Sequence, residues 1–276
     1  MRSVAAALAA AVALAAPGLA TAQDAGAAGQ LRALCTDRPT KSTAPCTVDP
    51  GHFQIESDLV NVTVDHSGGG SVTTWLATDP TLKYGLTPTL DVEAGIVPLA
   101  IVVTRDPVTG ARTTRTGIGD LFLKAKWNLL GDDGGDVSLA LNPFIKAPTA
   151  TGGVGNGDLE AGLIAPVSIN LPLKVQLTID PEVDLLRNAA NPGHHVNTSG
   201  LLGFSRPVSK AVTASAELWS DVNLDPLGTV TQASVDLGLA WIPSRRPNLQ
   251  FDGGVNLGIN HATPGVQAYV GISRRF

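Results

Sequence analysis

The sequence predicts an all-β protein, a transmembrane antiparallel β-barrel of about 12 strands with a short N-terminal periplasmic or plug segment. Three observations predict this fold class. The chain opens with an export signal, apolar and polar residues alternate from Gly51 onward, and the last alternating stretch runs to Phe276. No later stretch has the continuous apolar run of a membrane helix, so a membrane span has to be a closed barrel.

Residues 1–22 have the composition of a signal peptide. A basic Met1-Arg2 start precedes an Ala-, Leu- and Val-rich stretch from Val4 to Ala16, which Pro17-Gly18 then breaks. Ala20-Thr21-Ala22 matches the small-residue pattern of a cleavage site. We therefore expect an exported protein that is located in the bacterial outer membrane.

Residues 23–50 form an N-terminal segment that contains both cysteines, Cys35 and Cys46. Outside the cytoplasm a disulfide is the expected state of such a pair. Closing a loop of this length contributes roughly 2–3 kcal/mol in the chain-entropy model. A metal site would need further His or Cys ligands, and only His52 is close. The disulfide-bearing segment is expected either in the periplasm or inside the lumen.

Residues 51–276 are predicted to form the barrel. In the clearest strand, from Leu173 to Leu185, one face carries Leu, Val and Ile while the other carries Lys, Gln, Thr, Asp and Glu. A period of two is that of a strand with one apolar and one polar face. Twelve such stretches occur, an even number as in bacterial single-chain barrels. They lie near 51–64, 71–83, 86–98, 117–130, 136–147, 157–168, 172–186, 195–206, 211–222, 229–242, 248–260 and 265–276.

The connections are expected to alternate between short periplasmic turns and longer external loops. Leu99–Thr116 is the longest predicted external loop, and it contains Arg105, Arg112 and Arg115. These arginines either contact phosphate groups of the outer leaflet or belong to a solvated loop.

Carboxylates outnumber basic side chains on the strand faces that are predicted to point inward. One interpretation is a conducting acidic lumen that favours cations or neutral polar solutes. The other is a packed interior in which charged and polar contacts hold the barrel closed. The residues predicted to line the lumen are Asp91, Glu93, Lys124, Lys126, Asp180, Glu182 and Asp184.

No catalytic, cofactor or metal site is predicted. The Gly-rich run Gly152–Gly157 precedes a strand and lacks the Lys-Ser/Thr of a P-loop. The histidines stand in no recognisable Ser/His arrangement, and G-x-S-x-G is absent. His194-His195 is a weak candidate for an external metal pair. Because the chain is mildly acidic, it offers no basic face for nucleic acid.

Three stretches resemble an outer-membrane family that is named for the meta-pathway of phenol degradation. Asp37-Arg38-Pro39, followed by Pro50–Glu56, is similar to the family's D-R-P and P-G-x-F-Q-x-E opening. Gly117–Asn128 is similar to its G-x-G-D-L…A-K-W segment, and the third stretch is Asn256–Phe276. The resemblance implies an outer-membrane barrel that passes aromatic or other small hydrophobic compounds and has no catalytic residues. The final Phe276 also resembles the signal that the outer-membrane assembly machinery recognises.

The function predicted from the sequence is passive passage of small molecules through an outer-membrane channel, without a cofactor. The alternatives are a closed structural or adhesive barrel and, less favoured, a barrel-embedded hydrolase. The expected partners are outer-membrane lipid and lipopolysaccharide, the barrel assembly machinery and a small-molecule solute, whereas nucleic acid is not expected. Alternation alone assigns no oligomeric state.

Overall fold

The computed structural model describes residues 31–66 and 70–276. The chain divides into the unit Met1–Leu31 and the unit Arg32–Phe276, and the second contains all the strands below. The predicted signal peptide, residues 1–22, lies outside the described residues. None of the helices in the two described ranges is long and apolar enough to cross a membrane.

The second unit is a closed antiparallel β-barrel of 12 strands, four of which are interrupted, so that the wall contains 16 strand segments. In chain order these are β1 (Phe53–Asp65), β2 (Ser71–Thr87), β3 (Leu90–Gly95), β4 (Leu99–Arg105), β5 (Arg112–Gly117), β6 (Leu121–Leu130), β7 (Val137–Ala147), β8 (Glu160–Ile164), β9 (Val167–Leu171), β10 (Val175–Ile179), β11 (Glu182–Arg187), β12 (His194–Pro207), β13 (Val212–Asn223), β14 (Val230–Trp241), β15 (Leu249–Gly258) and β16 (Val266–Arg275). β1 pairs with both β2 and β16, and this pairing closes the sheet.

Two of the interruptions are caused by prolines in neighbouring strands. Pro166 separates β8 from β9, and Pro181 separates β10 from β11. Proline has no backbone N–H to donate, so the regular ladder stops at each of them. Their carbonyls still accept hydrogen bonds, from Ala140 N to Pro166 O at 3.1 Å and from Ala165 N to Pro181 O at 2.9 Å. The wall therefore stays connected through both interruptions.

The prediction of twelve barrel strands is confirmed, but the predicted external loop Leu99–Thr116 is wrong. Most of it is a paired hairpin, in which β4 and β5 are in register from Ala100 opposite Gly117 to Arg105 opposite Arg112. Ile, Val and Thr are more than half of β4, and Thr is half of β5. Such β-branched residues favour strand structure. The turn itself is short, because Asp106 Oδ1 accepts hydrogen bonds from Val108 N at 2.9 Å and Thr109 N at 2.7 Å.

A second predicted boundary, the turn at Ser168–Leu171, is also wrong. These residues belong to β9, and the turn is a short 3-10 segment at Pro172–Lys174. Pro172 ends the strand, and the two residues after it, Leu173 and Lys174, have φ angles of 63° and 60°. Leu173 is therefore an exposed turn residue and not part of the apolar face of a strand. The predicted alternation holds from Val175 onward.

The distribution of polar and apolar side chains is reversed relative to a soluble protein. Lys126, Gln54, Asn142, Asp91 and Asp236 are among the largest fully buried side chains. Large apolar side chains on most strands are exposed instead, because they point away from the lumen. An apolar outer surface and a polar interior are what a barrel needs in a bilayer.

We expect the outer surface to tolerate charge according to its depth in the bilayer. Leu202 lies near the middle of β12 and Val196 near one end, and both side chains are on the outer face. Leu202→Arg should lower the free energy of unfolding by about 2–4 kcal/mol, because an arginine near the bilayer midplane is costly. Val196→Arg is the matched control, with an expected loss of about 0–1 kcal/mol. Denaturant unfolding in lipid vesicles measures both, and equal losses would contradict the proposed immersion of this face.

Candidate functional site

The lumen contains the N-terminal part of the chain. We call residues 32–50 the lumen segment, and we call the end of the barrel where β1 begins and β16 finishes the terminal end. The segment makes hydrogen bonds to strands far apart in the wall. Asn128 Nδ2 on β6 donates to Pro45 O at 2.8 Å, and Gln250 Nε2 on β15 donates to Thr36 Oγ1 at 3.1 Å. The segment was predicted to lie either in the periplasm or in the lumen. Its described part lies inside the barrel lumen.

The predicted disulfide between Cys35 and Cys46 is confirmed, with the two Cα atoms 6.4 Å apart. It closes residues 35–46 into a loop within the lumen. The wall contacts this loop at its base, where Gln54 Nε2 of β1 donates to Cys35 O at 2.7 Å. Because the disulfide joins the ends of the loop, the residues between them are held as one compact unit against the wall.

Asp37 anchors one side of the loop to β2 and β6. Its carboxylate accepts hydrogen bonds from Lys126 Nζ, at 2.7 and 2.9 Å, and from Lys83 Nζ. The peptide N–H of Asp37 also donates to Glu56 Oε2 at 2.9 Å. Burial alone would raise the pKa of Asp37, but the two lysines outweigh burial and hold the pKa below its usual range. Asp37 is therefore an ionised anchor inside the lumen.

Arg38 anchors the opposite side of the loop to β1 and β15. Its Nη2 atom lies 2.6 Å from Asp58 Oδ1 and 2.7 Å from Asp252 Oδ1. Burial opposes the positive charge, yet the two carboxylates outweigh it and raise the pKa of Arg38. The wall leaves room for the guanidinium at Gly271, where a Cβ atom would come within 2.0 Å of Nη2. A side chain at position 271 would therefore displace Arg38.

The tip of the loop rests on three carboxylates of the wall. Glu217 on β13 accepts hydrogen bonds from Thr40 Oγ1 at 2.6 Å, Ser42 Oγ at 2.5 Å and the Lys41 N–H at 3.1 Å. Asp180, between β10 and β11, accepts one from the Thr43 N–H at 2.6 Å. The third carboxylate is Asp236 on β14, which pairs with the Lys41 side chain. Backbone and side-chain donors of the tip are thus satisfied by the wall.

A second group of ion pairs lies at the terminal end. Arg32 Nε is 2.9 Å from Asp49 Oδ1, and Arg32 Nη1 is 2.5 Å from Asp132 Oδ2. Arg275, the last residue of β16, places Nη1 2.6 Å from Asp49 Oδ2. Because Asp49 contacts both arginines, the end of the lumen segment is joined to the strand that closes the barrel.

The residues predicted to line the lumen fall into two groups. Four of them, Asp91, Glu93, Lys126 and Asp180, lie beside the lumen segment, and Asp91 Oδ2 accepts from Val48 N at 2.9 Å. Two others bond to β12 instead, where Glu182 accepts from Ser199 Oγ at 3.2 Å and Asp184 accepts from Asn197 Nδ2 at 3.1 Å. Lys124 is half-buried. That these seven residues line a conduction path stays a prediction.

Sequence reasoning missed the residues of the segment that hold it in place. The sequence identifies Asp37 and Arg38 only as part of a motif and Asp252 only as one of many inward carboxylates, and it gives no role to Lys41 or Lys83. Their partners are distant in sequence, for example 214 residues for Arg38 and Asp252. The sequence does show an excess of inward carboxylates and a short N-terminal segment that carries cations. This imbalance indicates ion pairs between the segment and the wall, but it does not identify which residues pair.

Cavities remain on one side of the lumen segment. A cavity of about 610 Å³ lies between the disulfide loop and the wall, and opens near the turns after β12 and β14 at the terminal end. Ser168, Thr178, Ser205 and Ser215 line its wall side. A second cavity of about 540 Å³ is lined by His195 and other residues of β12 to β14 near the opposite end. The wall from β9 to β14 therefore borders open space near both ends of the barrel.

The described residues contain no group of three or more His, Cys, Asp and Glu side chains arranged to hold a metal ion. His194 and His195 have separate partners, since His194 Nε2 is 2.8 Å from Leu159 O and His195 Nδ1 is 3.0 Å from Asn188 Oδ1. The two histidines therefore do not share a partner.

The sequence matches a protein-family model described as "Putative MetA-pathway of phenol degradation" over residues 36–276. The chain belongs to this family. Among solved structures, the COG4313 outer membrane channel from Pseudomonas putida F1 has a TM-score of 0.66 at 14% identity, covering 83% of this chain and 96% of that one. The translocator domain of the autotransporter NalP from Neisseria meningitidis has a TM-score of 0.47 at 13% identity, covering 82% and 88%. A comparison with curated proteins found no match.

The family assignment and the fold agree with the distribution of side chains. The family member described here is a β-barrel of the outer membrane, with its apolar face toward lipid and its polar face toward the lumen segment. The predicted family, fold class and location are therefore confirmed.

Arg38→Met should lower the free energy of unfolding by about 3 kcal/mol, because Asp58 and Asp252 would remain buried without their shared cation. Arg115→Met is the matched control, since Arg115 is exposed and makes one long contact to Gly153 O at 3.4 Å. Denaturant unfolding in vesicles measures both variants. The proposed anchor is refuted if the two arginine variants unfold alike.

The low pKa of Asp37 predicts a specific dependence on pH. An unfolded Asp37 takes up a proton near pH 3.9, while the folded one stays ionised to lower pH. The stability that Asp37 contributes is thus fully present above about pH 4 and declines as the pH falls further. We expect Asp37→Asn to lower the free energy of unfolding equally at pH 7 and pH 5, and less at pH 3. A difference that already vanishes between pH 7 and pH 5 would contradict the assignment.

Proposed function

We propose that this family member is a channel for the passive passage of small molecules across the outer membrane. In this proposal solutes pass between the lumen segment and the part of the wall that runs from β9 to β14. The observation that carries the proposal is the cavity of about 610 Å³ beside the disulfide loop. Hydroxyl and amide side chains make up much of its wall side, where Lys210 and Glu217 are the charged residues. Such a lining accepts neutral polar and weakly polar solutes.

The distribution of ion pairs supports a path on this side. On the opposite side, Asp37 is bound to Lys83 and Lys126, and those lysines lie beside further carboxylates. Moving the segment away from that wall would leave several buried charges unpaired, which is costly. On the side of the cavity, the loop tip contacts the wall through hydrogen bonds from Thr43 to Asp180 and from Thr40, Lys41 N and Ser42 to Glu217, none of which involves a wall lysine. In this proposal, a shift of the tip away from Asp180 opens a path between the two ends of the lumen.

The same sector carries the carboxylates that would filter solutes. Asp180, Glu182 and Asp184 follow one another on inward positions of one interrupted strand, beside the proposed path. Such a row favours cations and neutral solutes over anions. The family description refers to phenol degradation, so we propose small aromatic or other weakly polar compounds as the first solutes to test.

A second candidate function is a closed barrel with a structural or adhesive role. The ion-paired lumen segment favours it, because a segment held by this many buried contacts can seal the lumen permanently. Catalysis forms no part of either proposal. Within the described residues, the histidine hydrogen bonds reach backbone carbonyls and an asparagine, and none reaches a Ser, Thr or Cys side chain.

Single-channel conductance in planar bilayers distinguishes the two candidates. We expect small discrete steps from the full chain, and larger steps with stronger cation preference after deletion of residues 34–47, because the deletion removes Arg38 and Lys41 from the lumen. Adding Asp180→Asn, Glu182→Asn and Asp184→Asn to the deletion variant should reduce the cation preference measured in a salt gradient.

Folding is verified by heat-modifiable migration on gels before each recording. A folded full chain that never conducts, beside a deletion variant that does, would refute passage beside the segment and favour the closed barrel. Unchanged selectivity of the triple variant would refute the acidic filter while leaving the channel itself standing.

A further inference from the structure

Within the disulfide loop, the lumen segment brings two cations to the wall, Arg38 and Lys41, and they are held differently. The Arg38 side chain is 13% exposed and contacts two carboxylates, whereas the Lys41 side chain is 27% exposed. Burial disfavours the charge on both. For Arg38 the carboxylates outweigh burial, but for Lys41 burial outweighs the attraction of Asp236 and lowers the pKa. The Lys41 ammonium is therefore the less firmly held of the two.

The wall group that receives Lys41 combines an aromatic ring, a hydroxyl and a carboxylate. Lys41 Nζ lies 4.3 Å from the centroid of the Trp219 ring, donates to Ser234 Oγ at 2.6 Å, and is 3.0 Å from Asp236 Oδ2. Trp219 on β13 stands directly opposite Ser234 on β14, and Asp236 follows two residues later on the same face. An aromatic face beside a carboxylate is a suitable environment for an ammonium ion.

The receiving group is part of the barrel and does not depend on the segment for its shape. The Asp236 side chain is 0% exposed, and its Oδ2 atom has no hydrogen-bond partner although it lies beside Nζ. Trp219, Ser234 and Asp236 all belong to the paired strands β13 and β14, so the barrel itself fixes their backbone positions. A buried carboxylate aimed at a fixed point beside an indole ring defines a cation site that belongs to the wall.

Open space reaches this group from the side of the β15–β16 hairpin. A cavity of about 260 Å³ touches Lys41 and Trp219 and is otherwise lined by uncharged residues, among them Gln232, Asn256 and Gln267. Its volume is slightly below the usual range for drug-sized ligands, which restricts an occupant to a small molecule. Arg38 also borders open space, in the cavity of about 610 Å³, but it is held by two carboxylates.

We propose that Trp219, Ser234 and Asp236 form a binding site for small organic ammonium compounds, and that Lys41 occupies it as an internal substitute. An arriving ammonium group takes the place of Nζ, and the Lys41 side chain moves into the adjoining cavity, so the charge bound at Asp236 is unchanged. Glu217 still holds the tip through Thr40, Ser42 and the Lys41 N–H. The proposal deepens the proposed function by naming a solute class, yet binding at this site is measurable without conduction.

Lys41→Ala empties the site and allows a direct test with n-butylammonium as the probe. We expect saturable binding to the purified Lys41→Ala barrel in detergent micelles, measured by isothermal titration calorimetry at constant pH and ionic strength. The wild-type chain should bind at least tenfold more weakly, because Lys41 competes for the site. Lys174→Ala is the matched control, since it removes an exposed turn lysine and should behave like the wild type. The neutral probe 1-butanol should not bind at this site.

Two further variants separate a binding site from a simple anchor. Adding Asp236→Asn or Trp219→Leu to Lys41→Ala should each weaken n-butylammonium binding at least tenfold. Equal binding by Lys41→Ala and both double variants, or equal binding of 1-butanol, would overturn the proposal. Lys41→Met, which keeps the length of the side chain, replaces Lys41→Ala if the latter fails to fold.

The outcome is independent of the channel test. Conduction by the deletion variant without n-butylammonium binding to Lys41→Ala would refute only the ammonium site. Binding without conduction by any variant would refute the channel and leave the ammonium site standing.

Discussion

A β-sheet in hydrocarbon has to pair its backbone N–H and C=O groups within the protein, because the bilayer offers no partner for them. Closure of β1 on β16 meets this constraint, and the rest of the structure follows from it. Once the sheet is closed, alternate side chains point to lipid and to the lumen. The outward set can be apolar, and the inward set is free to be polar. The inward set here is rich in carboxylates, which in turn need partners.

The lumen segment supplies those partners in two ways. Its side chains bring Arg32, Arg38 and Lys41 to wall carboxylates. Its backbone contributes as well, since the N–H groups of Thr43 and Val48 donate to Asp180 and Asp91. A segment without helix or strand must satisfy its peptide groups by other means. The wall carboxylates do this here, so the pairing of charges and the satisfaction of the segment's backbone are the same set of contacts.

How much could be predicted from the sequence depends on the range of the interaction. Alternation is local, so the strand number and the inward position of Asp180 and Asp184 followed directly from it. The Leu99–Thr116 error arose because this stretch was taken as the external connection between two predicted strands, although the β-branched residues of β4 and the threonines of β5 favour strand structure. The turn at Pro172–Lys174 was misplaced because Leu173 fits the alternation by chance. Contacts such as Arg38 with Asp252 depend on closure of the whole sheet, and no local pattern encodes them.

The disulfide also shows the difference between what a local pattern predicts and what depends on long-range contacts. The short spacing of Cys35 and Cys46 was enough to predict the bond. The sequence left open whether the loop lies in the periplasm or inside the lumen, because its location depends on wall residues on β1, β6, β13 and β15. Charge complementarity was visible only as a general imbalance between inward acids and bases. Which strand each anchoring residue contacts depends on the register of the barrel, and the sequence alone does not give that register.

Asp49 has a consequence for the mechanical integrity of the barrel. It bonds to Arg32 of the lumen segment and to Arg275 of the last strand, and Phe276 N donates to Phe53 O at the same seam. Occupancy of the lumen and cohesion of the seam are therefore thermodynamically coupled, and such coupling acts equally in both directions. Displacing the lumen segment from the terminal end would therefore remove a contact of the closing strand β16. Separating β16 from β1 would in turn remove a contact that holds the segment.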